Sequence, residues 1–139
     1  MPYHVYAIKL DRHSFAPPKA FRAQNPHIEW ERLLPEGLRY YYVGQSAHEP
    51  DCRFAQHKQC HGPQIKFQCL CKGGLGKRRA ARKLITKNRS NKYVREYGLY
   101  LARKEFAHFR PMKSRDEALE IEAVLAQSLR RKGHAVYFN

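Results

Sequence analysis

The chain has 139 residues, with 27 Lys+Arg against 12 Asp+Glu and a formal net charge of +15. An apolar content of 42% argues against wholesale disorder, and the length suits one domain with a real core. No run approaches the ~20 apolar residues of a membrane span, and Lys9, Asp11 and Arg12 interrupt any early signal-like run, so the expectation is a cytoplasmic protein.

Residues 3–10, Tyr3-His4-Val5-Tyr6-Ala7-Ile8-Lys9-Leu10, are β-branched and aromatic with partial alternation, which predicts a strand. From about 11 to 38 the chain is broken by Pro17, Pro18, Pro26, Pro35 and Gly37, so this reads as an insertion with at most one short helix. Residues 39–44 form a second strand that stops at Gly44, giving a hairpin with the insertion at its tip. Pro50 then opens a helix carrying Arg53, Phe54, His57 and Lys58, which ends near His61-Gly62-Pro63. Residues 65–70 are ambiguous. After Gly73, Gly74 and Gly76, the narrow apolar face of Ala81, Leu84 and Ile85 predicts a helix over 77–87.

A shorter helix over 91–97 ends at Gly98, as helices ending on glycine do. Residues 99–108 read as a third strand, with Lys104 and Glu105 against the pattern. The last helix is the clearest element. Ser114 is its N-cap, with Glu117 three residues on as a capping box. Ala118, Ile121, Leu125 and Leu129 form its apolar stripe, Arg130, Arg131 and Lys132 suit its C-terminal dipole, and Gly133 ends it. Residues 134–139 form a short strand or an extended tail.

One carboxylate is out of place. Asp116, Glu117 and Glu120 project away from the stripe of the last helix, but Glu122 falls on its inward face. A buried carboxylate is normally ion-paired or metal-bound, so the plain alternative is a salt bridge to a buried arginine. Arg53 and His57 stand one helical turn apart, where a guanidinium can meet a phosphate while an imidazole takes a nearby proton. Such a pair is more often a solvated face, and Tyr6 and Tyr42 taken alone are ordinary strand aromatics.

Taken together, these residues resemble the GIY-YIG nuclease superfamily. His4-Val5-Tyr6 stands for its first motif, with His for Gly and Val for Ile, and Tyr42-Val43-Gly44 for the second. Arg53-Phe54-Ala55-Gln56-His57 matches the helix motif, residues 91–98 the later short helix, and 117–122 the helix of the metal-binding glutamate. Asn139 falls where that family often ends its core. The resemblance covers nearly the whole chain, apart from the insertion.

It implies one α/β (α+β) domain over 1–139, a small, mainly antiparallel three-stranded sheet flanked by helices. It also implies a divalent-metal-dependent endonuclease acting on DNA. Glu122 would bind Mg²⁺ or Mn²⁺, and Tyr6, with His57, would activate or position water. Tyr42 would orient water and phosphate, and Arg53 would neutralise phosphate charge, with Gly44 and Asn139 as supports. A phenol with a pKa of about 10 is a poor base at neutral pH until something lowers it, and a nearby metal, Arg53 and the basic surroundings all push in that direction.

Residues 72–95 contain ten Lys or Arg and no acid. Solvated helices usually alternate charge signs, so Lys77, Arg78, Arg79, Arg82, Lys83, Lys87, Arg89 and Lys92 are expected to contact phosphates of DNA, or of RNA as the second choice. A non-catalytic nucleic-acid-binding protein using this segment is the rival reading. Neither a membrane nor an obligate protein partner is implied. The four cysteines read as thiols in a chain without an export signal. Zinc on Cys60, His61, Cys69 and Cys71, with Cys52 and His57 nearby, lacks a C-x-x-C pair and is the weaker alternative.

Overall fold

The computed structural model describes residues 2–59, 66–68, 78–80 and 89–138. The two tyrosine-rich strands, β1 (His4–Leu10) and β2 (Tyr40–Ser46), pair antiparallel over their full length. Their side chains are buried on both faces, which is why the alternation in sequence is only partial. The register sets Tyr6 opposite Gly44 and Ile8 opposite Tyr42. These four therefore share one face, while Ala7, Lys9, Tyr41 and Val43 share the other.

Two further strands complete the sheet. β5 (Gly98–Leu101) joins β1 antiparallel, and β6 (Ala135–Tyr137) joins β2 parallel, giving the order β5-β1-β2-β6. The remaining short strands, β3 (Lys66–Gln68) and β4 (Arg78–Ala80), pair with each other in a second sheet. Among the described residues five helices surround this frame: α1 (Lys19–Ala23), α2 (Pro50–Gln59), α3 (Arg89–Tyr97), α4 (Arg103–Phe106) and α5 (Arg115–Arg131). α2 packs on α3, β1 and β5, whereas α5 packs on β1, β2 and β6. Among the described residues no helix is long and apolar enough to cross a membrane.

The insertion joins the core. Phe15 and Phe21 set their rings 5.9 and 5.6 Å from that of Tyr40. The fully buried Asn25 amide donates to the Phe21 and Val136 carbonyls and accepts from the Val136 N–H. Gln24 treats Phe138 in the same way. Two side-chain amides thus stand in for a neighbouring strand along β6 and satisfy backbone groups that an open edge would leave bare.

The mixed α/β class and the mainly antiparallel pairing are as expected, but the sheet has four strands where three were expected. The reason is the last segment, which docks beside β2 once Gly133, at φ +94°, turns the chain off α5. The expected strand over 99–108 is shorter. After Leu101 the Ala102 N–H bonds the Ala7 carbonyl, and Lys104 and Glu105 then enter a helical turn that buries Phe106. β2 does not stop at Gly44 but runs on to Ser46. The expected helix over 77–87 is replaced at 78–80 by β4, and 81–87 lie outside the described residues. α5 is capped as read, with Ser114 Oγ accepting from the Glu117 N–H at 3.1 Å.

Candidate active site

Tyr6, Tyr42, Arg53 and His57 come from two strands and one helix and meet in the fold, while Glu122, on a second helix, acts on Tyr6 by its charge. The Tyr6 hydroxyl lies 3.4 Å from His57 Nε2, across 51 residues of sequence. The Tyr42 ring stands 6.4 Å from that of Tyr6 and edge-on to His57 at 6.0 Å. Gly44 makes this possible. An ideal Cβ there would stand 2.6 Å from the Tyr6 oxygen and 3.2 Å from the Tyr42 ring. The phenol occupies the room that glycine leaves.

Helix α2 supplies the cation and the imidazole. His57 is fully buried, and Arg53, one turn earlier, is half-buried. Arg53 Nη1 donates to Gln56 Oε1 at 2.6 Å, while its buried Nε finds no acceptor among the described residues. A buried donor without an acceptor is costly, which makes Arg53 Nε an exception to the pairing of buried polar atoms among the described residues. Gln56 was missed in sequence, although its place three residues after Arg53 on the helix was the available signal. Lys58 anchors the same helix, donating to the Val94, Arg95 and Gly98 carbonyls at the end of α3.

Arg53 acts on Tyr6 in the expected direction, but burial outweighs it. Burial pushes its phenol well above the ordinary range, and Tyr42 adds to the effect. Arg53 favours the ionised form by its charge and a hydrogen bond, and Glu122 opposes ionisation further. Desolvation wins because the ring is shut away from water. Tyr6 is therefore a neutral phenol here, able to donate to His57 Nε2 or to an incoming oxygen.

Glu122 sits mid-helix on α5, only 5% exposed among Ala118, Leu125 and Ala126. Burial pushes its carboxyl up to about 7, with Arg115 pulling weakly the other way. The salt bridge to a buried arginine does not form: among the described residues Glu122 has neither an ion pair nor a hydrogen-bond donor. Its charge nevertheless acts on Tyr6, as the smallest of the influences on that phenol.

Among the described residues no group of three or more His, Cys, Asp or Glu could hold a metal ion. A single buried carboxylate suits Mg²⁺ or Mn²⁺, which keep most of their waters and share a substrate phosphate, and not a zinc ion wanting four N or S ligands. Of the alternative zinc set, Cys60, His61, Cys69 and Cys71 lie outside the described residues, while Cys52 faces His48 Nδ1 at 3.6 Å. Of the basic segment, Arg78 and Arg79 lie on β4, Arg89 opens α3, and Lys92 is exposed on α3. Lys77, Arg82, Lys83, Lys87 and Asn139 lie outside the described residues.

Compared with known proteins, the chain matches no family model, no curated protein and no solved structure.

Proposed function

We propose that the protein is a divalent-metal-dependent endonuclease that hydrolyses DNA phosphodiester bonds with a GIY-YIG-type site. The observation that carries this reading is Glu122, a buried carboxylate whose charge acts on Tyr6 and that forms no ion pair among the described residues of a chain with net charge +15. A protein that only binds polyanions gains nothing from a desolvated carboxylate whose charge acts on a buried phenol.

Glu122 would hold the Mg²⁺ or Mn²⁺, and a cation there supplies Lewis-acid stabilisation of charge on the scissile phosphate. Arg53 binds a phosphate oxygen through its guanidinium and neutralises charge as it develops. His57 Nε2 accepts the proton of the attacking water, with the Tyr6 hydroxyl, in reach of that nitrogen, holding the water in line. Tyr42 orients the same pair from the side. Placing the proton acceptor on His57 agrees with a Tyr6 that burial keeps neutral.

The test is supercoiled plasmid incubated with the protein in Mg²⁺, Mn²⁺ or EDTA. Nicking in either metal and none in EDTA is the expected result. Tight DNA binding without nicking in any metal would favour the non-catalytic reading.

A further inference from the structure

The face of the sheet turned away from Tyr6 carries a feature that the cleavage chemistry does not use. Tyr100, Lys9 and Tyr41 form a row across β5, β1 and β2, because Lys9 pairs with both tyrosines. The row lines a cavity of about 420 Å³, bordered also by Arg39, Lys104 and Glu105. That volume falls within the range of small-ligand clefts, about 300–1,000 Å³. Lys9 Nζ sits 5.6 Å from the centre of the Tyr100 ring, which is 51% exposed, an unusual exposure for an aromatic strand residue. The acid of the cavity is already engaged, since Glu105 pairs with Lys132 at 3.1 Å. Lys9, Arg39 and Lys104 form no ion pair among the described residues.

We infer that this cavity binds an unpaired nucleotide of a nucleic-acid strand, its base stacked on Tyr100 and its phosphates on Lys9, Arg39 and Lys104. The cations alone would accept any polyanion. The ring is what selects, because base stacking on an exposed aromatic needs a π-face that a duplex hides. The inference deepens the nuclease reading, for it makes the substrate a DNA with a single-stranded segment lying on the far face of the sheet from the cut. The binding itself does not depend on that reading.

The experiment is fluorescence anisotropy in EDTA, with labelled oligothymidylate of about ten nucleotides and a duplex of similar length. Because EDTA removes cleavage, a protein that proved to be no nuclease would still give a clear answer. Y100A is expected to weaken oligothymidylate binding about tenfold or more while duplex affinity stays within about twofold; Y100F, which keeps the ring, should bind as the parent does. K9A/K104A should weaken the oligothymidylate and flatten its salt dependence. Unchanged oligothymidylate binding by Y100A overturns the inference. So does an equal loss for strand and duplex, which would leave only a general polyanion surface.

Discussion

The phenol of Tyr6 and the bare backbone of Gly44 face each other across the β1–β2 pair, and the hydroxyl fills the place of the missing side chain. A Cβ at residue 44 would meet the phenol oxygen at 2.6 Å and the ring carbon beneath it at 2.8 Å. Tyr6 cannot step aside easily, since it is 1% exposed and bounded by Tyr42 and His57. Gly44→Ala should therefore push the hydroxyl away from His57. We expect a loss of about 1–3 kcal/mol in stability from overpacking, and a fall in nicking larger than that loss explains. Thermal melting and plasmid nicking on one preparation check this; full nicking would free Tyr6 from any need for its present position.

Glu122→Gln keeps the shape and removes the charge. The variant should fold, bind DNA as well as the parent or better, and lose nicking in Mg²⁺ and Mn²⁺. Since no arginine is paired with Glu122 among the described residues, the loss of about 3–5 kcal/mol expected from breaking a buried pair should not occur. A folded variant that nicks normally would remove Glu122 from the chemistry.

The raised carboxyl of Glu122 also sets a pH dependence. Its ordinary value is 4.5 and burial lifts it to about 7, so the folded state holds a proton that the unfolded chain releases. Its stabilising contribution is fully present below 4.5 and is lost as pH rises through about 7. Without metal, the melting temperature of the parent should fall over that window relative to Glu122→Gln. Mg²⁺ should restore it at high pH for the parent alone, and apparent metal affinity should drop about tenfold per pH unit below the raised value. Melting curves across pH, with and without Mg²⁺, check both; parallel curves for the two proteins would show that Glu122 does not titrate in this range.

Because burial holds the Tyr6 phenol neutral, the nicking rate should stay level, with no rise through the ordinary phenol range toward about pH 10. A rate that keeps climbing to about pH 10 would instead assign the proton to a Tyr6 phenolate. Tyr6→Phe keeps the ring against Gly44 and should lower turnover without moving the level part of the profile.

Arg53→Ala should cost far more in turnover than in affinity. One phosphate contact is a small part of the attraction of a +15 chain, whereas charge stabilisation in the transition state is worth about 3–4 kcal/mol. Single-turnover rates and DNA affinity, measured together, separate the two. An equal fall in both would make Arg53 an ordinary phosphate contact.

Much of this was legible in the residues themselves. The strand character of 3–10 and 39–44, the Ser114 cap, the length of α5 and the inward place of Glu122 all follow from patterns within a few residues of each other. Periodicity put Glu122 on the buried face but could not say what waited there. Packing decided that no described arginine meets it, and desolvation then raised its carboxyl. The sequence shows the cations that push the Tyr6 phenol down, yet the closed environment of the folded site outweighs Arg53, because desolvation is the larger effect. The fourth strand and the role of Gly44 were equally out of reach. Both are contacts between distant segments, β6 with β2 and Tyr6 with Gly44, and local sequence carries no record of which distant residue will lie opposite. What the sequence determined alone was the set of chemical groups and the local elements that hold them; only the tertiary structure decided their partners, since burial and long-range register exist once the chain has closed on itself.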